Sequence, residues 1–460
     1  MRLLLADAAR GLMRIRANGC DNDRVSDVPR RAVQRTARLA TLPLGIAGRT
    51  ALGVGKRLGG RPAEAVAEEI KARTAEQLFS VLGELKGGAM KVGQALSVLE
   101  AAFPEELAGP YRATLTKLQE AAPALPAEQV HAVLQREMGA DWRDQFAAFD
   151  DKPAAAASLG QVHRATWKDG SDVAVKVQYP GAADALLADL AQVSRLGRTF
   201  GSMVPGLDIK PLVAEVKERM LEELDYTLEA GNQADFAAGY ADHSDVRIPE
   251  PLAVTSRVLV SRWLAGTPLS TIISEGTQKD RDTAGLLYLR FLFSGPSVAG
   301  LLHADPHPGN YRLTSDGALG VLDFGAVNRL PDGLPPALGR LLSLALVGDA
   351  DAVQAGLAEE GFIKTGVKVD PEVLMQYLGP FVEPARSDTF EFSREWMRGQ
   401  FARISDPRSD GYSVGFKLNL PAEYLLIHRV WLGGVAVLCQ LGARIPIRQE
   451  MEDWVPGFTG

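Results

Sequence analysis

Cysteine is almost absent from this chain of 460 residues: Cys20 and Cys439 stand far apart and without metal-ligand spacing. That count argues against a disulfide framework and against a zinc site, and it fits a reducing compartment. The net charge is equally slight, -7 at pH 7, so no nucleic-acid partner is expected. A secretory signal is missing, because Asp7 and the early arginines interrupt MRLLLADAARGLMRIR before an apolar segment can form. Long uninterrupted apolar runs are missing too. The best candidate span, Tyr424 to Leu441, carries His428 and Arg429 near its start, and charges cost too much in hydrocarbon for that segment to read as anything but a buried helix. There is no internal repeat and no low-complexity tract beyond an alanine-rich bias.

What is present is ordinary globular material, 46% hydrophobic and 23% charged, in a length that suits one two-lobed unit with extensions. Residues 1–62 are basic, and Leu39, Leu42, Leu44 and Ile46 are interleaved with the arginines. Two readings of this segment stand side by side: an amphipathic element on an anionic membrane surface, and a poorly ordered extension. GVGKR at Gly53–Arg57 resembles the end of a P-loop but fails as one, since Thr50 replaces the first glycine and no Ser or Thr follows Lys56. Residues 63–150 read as a helical extension. Within it GGAMKVGQ places Lys91, Gly93 and Gln94 together, and its glycines imply a close backbone approach there.

Residues 151–265 change character. A small-residue loop, Ala154–Ala157 with Ser158 and Gly160, precedes a strand from Gln161 to Trp167, a turn at Asp169-Gly170 and a second strand from Asp172 to Gln178. The loop stands where a phosphate cover belongs, with Ala155, Ala156, Ala157, Ser158 and Gly160 as candidate contacts, and Val173-Ala174-Val175-Lys176 matches a phosphate-holding strand lysine. A helix from Pro211 to about Phe236, striped by Leu212, Val216, Met220 and Leu224, presents Glu223 as the expected partner of Lys176, with Asp225 beside it. Arg257–Gly266 reads as the strand and hinge joining two lobes.

Residues 266–460 read as a largely helical lobe organised around His303–Gly325. Asp305, Asn310 and the Asp323 of Asp-Phe-Gly have the spacing of a phosphoryl-transfer site, with a hairpin turning at Asp316-Gly317 between them. Asp305 would orient or deprotonate the attacking group, while Asn310 and Asp323 supply the oxygen ligands that Mg²⁺ requires beside ATP. His303 and His307 read as structural supports of the loop.

These motifs fall in one order: Lys91 to Gln94, Ala155 to Ser158, GQVH at Gly160–His163, Lys176, Glu223 to Asp225, HADPHPGN at His303–Asn310 and DFG at Asp323–Gly325. The set resembles the UbiB/ADCK (AarF) family of atypical kinase-like proteins. The resemblance implies an α+β, two-lobed protein-kinase-like fold with an N-terminal helical extension over the active site, where Lys91 meets Glu223 or Asp225 and, with Gln94, regulates access. It implies an ATP- and Mg²⁺-dependent ATPase or small-molecule kinase supporting isoprenoid quinone or membrane lipid metabolism. Many bacterial members end in a pair of transmembrane helices. The part after Pro331 here has no such pair, so a cytoplasmic protein peripheral to the membrane's inner face is expected. A Ser/Thr protein kinase and a nucleotide-gated lipid-binding protein without turnover are the alternative readings.

Overall fold

The computed structural model describes residues 124–157, 159–184, 214, 218, 221–405, 410–415 and 417–460. The basic segment, the Lys91–Gln94 motif, Ser158 and the Leu212, Val216 and Met220 stripe therefore lie outside the described residues.

Helix α1 (Ala127–Met138) leads into β1 (Phe146–Phe149), then β2 (Ala155–Ala157), β3 (Gly160–Trp167) and β4 (Asp172–Gln178). Helix α2 (Tyr226–Gly239), β5 (Val246–Arg247), β6 (Pro251–Val254) and β7 (Val258–Arg262) follow. The first sheet has the order β1-β3-β4-β7-β6, with β2 paired to β3. It takes in Phe146–Phe149 and so begins ahead of residue 151, where composition alone had placed the lobe's start. The alanine segment forms a strand, Ala155 opposite Val162 and Ala157 opposite Gly160, rather than an open loop.

Alternation along β4 explains the lobe. Val173, Val175 and Val177 are buried on one face, where they pack with Val130, Val133 and Leu134 of α1 and with Trp142, Trp167 and Val260. Burial of each such side chain contributes about 1.5–3 kcal/mol. The pleat sends Lys176 to the other face, where it is registered between Val162 of β3 and Leu259 of β7 on the central strand. Leu259 itself packs against Tyr226 and Ala230 of α2. Gly160 is needed at the start of β3, because a Cβ there would stand 2.2 Å from the Val177 carbonyl oxygen and 2.9 Å from the Tyr226 hydroxyl.

The second lobe opens with β8 (Thr267–Pro268), α3 (Leu269–Glu275) and α4 (Gln278–Val298). A capping box fixes the start of α4: Thr277 and Asp280 satisfy one another's backbone N–H groups. After it come β9 (Leu301–His303), β10 (Tyr311–Leu313), β11 (Leu319–Val321) and β12 (Val327–Arg329). Strands β10 and β11 form the expected hairpin, and Gly317 takes the turn with φ 82°. The sheet order β5-β11-β10-β8 and the β9–β12 pair hold the ends of the loop between them.

The remainder is largely helical: α5 (Pro336–Val347), α6 (Ala350–Glu359), α7 (Pro371–Val382), β13 (Phe390–Glu391), α8 (Arg394–Ser405), α9 (Asp410–Gly415), α10 (Leu425–Leu441), β14 (Arg444–Ile445) and α11 (Ile447–Trp454). The stretch Ala422–Leu441 is long and apolar enough to cross a membrane, yet about two-thirds of it (67%) is buried within the protein. The segment after α11 crosses α5 at Gly339, where a Cβ would stand 2.3 Å from both the Phe458 nitrogen and the Pro456 oxygen.

Gly339→Ala is expected to destabilise the protein by about 1–3 kcal/mol through that overlap. Gly399→Ala, on a helix where an added Cβ meets nothing within 4 Å, is expected to raise stability by up to about 1 kcal/mol. Urea unfolding of the two variants tests the contrast, and equal midpoints would refute the packing argument.

Candidate active site

The site is assembled around Lys176. Its Nζ donates to both carboxylate oxygens of Glu229, at 2.6 and 2.8 Å, and to Asp323 Oδ2 at 3.3 Å. It also lies 5.1 Å from the centre of the Tyr226 ring, within cation–π reach. Burial by itself would depress the ammonium's pKa, but Asp323 and Glu229 outweigh it and hold the pKa well above the ordinary lysine value. Burial pushes the Glu229 carboxyl up, Lys176 pulls it down and Asp323 adds to the upward push. One cation thus joins two carboxylates at the junction of β4, α2 and the Asp-Phe-Gly segment.

Helix α2 reaches this place because its N-terminus is set by Asp225, whose Oδ1 accepts from the Thr227 backbone nitrogen at 2.9 Å and from the Thr227 hydroxyl at 2.6 Å. From that start, residues 229, 232, 233 and 236 share one face. Glu229 takes Lys176, Asn232 Nδ2 donates to the Phe324 carbonyl at 3.1 Å, Gln233 donates to the Pro249 carbonyl, and Phe236 packs on Phe324 at 5.4 Å between ring centres.

The loop after β9 is pinned from below. Tyr288 donates to the Pro306 carbonyl at 2.8 Å, while Tyr311 and the Asn310 amide both donate to the Asp305 carbonyl at 3.3 Å. His307 Nδ1 accepts from the Gly309 nitrogen and so caps the turn at Pro308–Asn310. Asp305 is buried, 4% exposed, and its Oδ1 lies 3.5 Å from Arg429 Nη2 of α10. His303 is enclosed by Phe236, Phe291, Tyr311 and Phe324. Its Nε2 lies 2.8 Å from the Asp323 carbonyl, to which it donates, and its Nδ1 lies 3.0 Å from the Tyr311 hydroxyl, whose single proton is shared between that nitrogen and the Asp305 carbonyl. Burial lowers its pKa against the upward pull of Asp305 and Asp323.

Asp323 has φ +59°, the one positive φ at a non-glycine position among the described residues. A side-chain-bearing residue held there stores strain, and such strain collects at functional sites. Its Oδ1 accepts from the Gly325 nitrogen at 3.2 Å, and the Leu322 nitrogen donates to the Asn310 carbonyl at 2.8 Å, which keeps the two segments side by side. Gly325 leaves the space open: a Cβ there would meet Asp323 Oδ1 at 3.3 Å, Glu229 Oε2 at 3.7 Å and Glu223 Cγ at 3.8 Å.

The pairing expected from the sequence is corrected in one respect. The carboxylate on Lys176 is Glu229, not Glu223. The expected helix is not continuous, for Glu223 and Leu224 form a turn and α2 starts afresh after Asp225. The four-residue stripe through Leu224 therefore runs out before the lysine is reached. Glu223 stands beside Gly325 instead, and Asp225 is the helix cap. Lys176, Asp305, Asn310 and Asp323 are brought into one neighbourhood by β4, β9, β10 and β11. Gly160 and Ala155–Ala157 form the hairpin above β4. Sequence reasoning missed Glu229, Asn232 and Arg429. An Asp-x-Thr cap would have found the first two, since it restarts the helical count at residue 226. Nothing local marks Arg429, which meets Asp305 across 124 positions.

A family model described as the ABC1 atypical kinase-like domain matches residues 117–356, about half of the chain. The chain belongs to this family of atypical kinase-like proteins, the UbiB family. Among its relatives, atypical kinase coq-8, mitochondrial, of Caenorhabditis elegans is 30% identical over 422 residues, covering 86% of this chain and 55% of that protein. Protein ACTIVITY OF BC1 COMPLEX KINASE 3, chloroplastic, of Arabidopsis thaliana is 33% identical over 377 residues, 79% of this chain and 50% of that one. The chain thus spans about half the length of these curated relatives. A solved structure of Rv3197 from Mycobacterium tuberculosis, described as its complex with erythromycin, is 42% identical with a TM-score of 0.66, covering 87% of this chain and all of that one (100%). The α+β kinase-like fold follows from membership of the UbiB family.

Two predictions test the geometry. Glu229→Ala is expected to cost about 3 kcal/mol in urea unfolding, since it removes one partner of a buried pair, whereas Glu223→Ala costs less than half as much. Equal losses would return the pairing to Glu223. The depressed pKa of buried His303 means that the unfolded chain binds more protons at low pH. Its contribution to stability is therefore complete above the ordinary imidazole value of about 6.5 and is lost as pH falls from there towards the lower folded value. His163 and His428 are depressed by burial in the same direction. The unfolding midpoint should fall between about pH 7.5 and pH 5.5, more shallowly in His303→Gln, and an unchanged slope in that variant would refute the assignment.

Proposed function

We propose that the protein is a Mg-ATP-dependent atypical kinase-like ATPase or small-molecule kinase that supports isoprenoid quinone or membrane lipid metabolism. The observation that carries the reading is the Lys176–Glu229–Asp323 cluster beside a buried Asp305. Lys176 lies on a central strand beside β3, and its ammonium would neutralise phosphate charge, while Ala155, Ala156, Ala157, Ser158 and Gly160 would cover the phosphates. Glu229 takes the positioning role first expected of Glu223.

The donor set suits magnesium: an amide oxygen from Asn310 and the carboxylate of Asp323 are hard oxygen ligands, few in number as Mg²⁺ prefers. Bound there, the ion would offset the charge that develops on the phosphates. Asp305, with its backbone tied by Tyr311 and Asn310, would accept a proton from the attacking water or hydroxyl. Arg429, 3.5 Å from Oδ1, would help to orient that carboxylate. Lys91 and Gln94, with Glu223 and Asp225, remain the proposed regulatory set that limits access to the cleft, which favours a water or small-molecule acceptor over a peptide.

The lipid or quinone side of the reading rests on the family resemblance, and with it peripheral attachment to the membrane's inner face. A second reading is supported by the mycobacterial relative, whose complex with erythromycin makes a macrolide a candidate ligand of this chain too.

Phosphate release from Mg-ATP, measured with and without anionic liposomes containing a polyprenyl quinone, tests the proposal. Release is expected to rise with the liposomes and to fall by at least about a hundredfold in Asp305→Asn and Asp323→Asn. Intact nucleotide binding with no release under any condition would leave a nucleotide-gated binding protein instead. Peptide phosphorylation gained on removal of the first 105 residues would favour the protein kinase. Erythromycin in the same assay tests the macrolide reading, which fails if neither binding nor release responds.

A further inference from the structure

The helical lobe contains a cavity that the proposed reaction does not use. Its volume is about 340 Å³, within the range of small-molecule sites. It lies among α4, α5, α6, α7 and α10, and none of Lys176, Glu229, Asp305, Asn310 or Asp323 lines it. Leu292, Leu341 and Leu378 form aliphatic walls, and Phe293, Phe381 and Trp431 an aromatic one. The Trp431 ring stacks on Phe293 at 5.8 Å and 14° and on Phe381 at 6.2 Å and 26°.

The lining defines the chemistry of an occupant. Among the described residues no Asp, Glu, Lys or Arg lines the cavity, so an ionised group would find no partner of opposite charge among them, at a high cost. Tyr424 already donates to Glu360 and Asn419 to the Gly361 carbonyl. His428 and Tyr377 are different. Neither has a hydrogen-bond partner among the described residues, and both line the cavity. Burial depresses the pKa of His428, so at neutral pH it is an uncharged ring able to donate or accept one bond. The volume is too small for a folded segment and the walls too apolar for a sugar or nucleotide. Apolar cavities of this kind take up hydrocarbon rather than water.

We infer that this cavity is the binding site of one neutral, mainly hydrocarbon small molecule whose single hydrogen-bonding group meets His428 and Tyr377. The site also has a route to the cleft. His428 and Arg429 are successive residues of α10, one lining the cavity and the other 3.5 Å from Asp305, so a ligand that shifts α10 shifts the group holding that carboxylate. This link rests on the proposed role of Asp305, whereas occupancy of the cavity does not.

The full chain titrated with the neutral fluorophore N-phenyl-1-naphthylamine should show saturable one-to-one binding, displaced by decan-1-ol and at least about tenfold more weakly by decanoate at about pH 8. Leu378→Trp, which fills the cavity, should weaken the fluorophore by about tenfold or more. His428→Phe should retain the fluorophore but lose about tenfold in affinity for the alcohol. Should Leu378→Trp fail to fold, a bromo-substituted decanol supplies the second measurement: it should quench tryptophan emission in the parent protein and much less in Trp431→Phe. Absence of saturable binding, or binding and quenching indifferent to these substitutions, overturns the site. Decan-1-ol should also change Mg-ATP affinity in the parent protein and not in Arg429→Ala. An unchanged affinity in the parent, with alcohol binding intact, overturns the link to Asp305 alone.

Discussion

One buried ammonium ties the molecule together. Lys176 leaves the central strand of the first sheet and is shared by Glu229 of α2 and Asp323 of the second lobe. None of the three groups can be left unpaired in that setting, because a buried charge without a partner costs several kcal/mol. The sheet, the helix and the Asp-Phe-Gly segment must therefore arrive together. One shared contact, Lys176 with Glu229 and Asp323, thus holds the two lobes in register.

Behind the charged cluster stands a neutral one. His303, walled in by four aromatic rings, bonds the Asp323 carbonyl with one nitrogen and the Tyr311 hydroxyl with the other. Depression of its pKa by burial favours the uncharged ring, whose Nδ1 can accept from Tyr311 while Nε2 donates to the Asp323 carbonyl. Together with Tyr288, Tyr311 and Asn310 it fixes the backbone of the loop and the strained φ of Asp323. The polar chemistry is thus carried by side chains whose backbone is bonded to the apolar core, and tight packing of that core is what allows an unfavourable dihedral to persist.

Helix α10 shows how one element serves several neighbours. Its composition alone would suit a membrane, but in the fold it is mostly buried, with Val435 to Leu438 in the main core, His428 and Trp431 on the cavity, and Arg429 directed at Asp305. The Arg429 side chain remains partly exposed, and its guanidinium lies 3.5 Å from the buried Asp305 carboxylate.

The chain's order of motifs was enough for the family and the fold, and it singled out Lys176, Asp305, Asn310 and Asp323 as candidates, because each is marked by neighbours within a few residues: a strand lysine in alternating valines, an aspartate and asparagine on one tight loop, an Asp-Phe-Gly after a hairpin. The hairpin itself was legible for the same reason, since Asp316-Gly317 is a local turn signal. The partner of Lys176 was not. Glu223 and Glu229 are both carboxylates near a helix, and which one meets the lysine depends on where α2 begins, a matter decided by the Asp225 cap and by docking of Phe236 into the second lobe. The Arg429–Asp305 contact and the cavity beside His428 lie further still from anything local. They arise where helices remote in sequence are packed together, so by itself the amino-acid order determined the chemistry available, and only the tertiary structure decided which charges meet and what space is left between the helices.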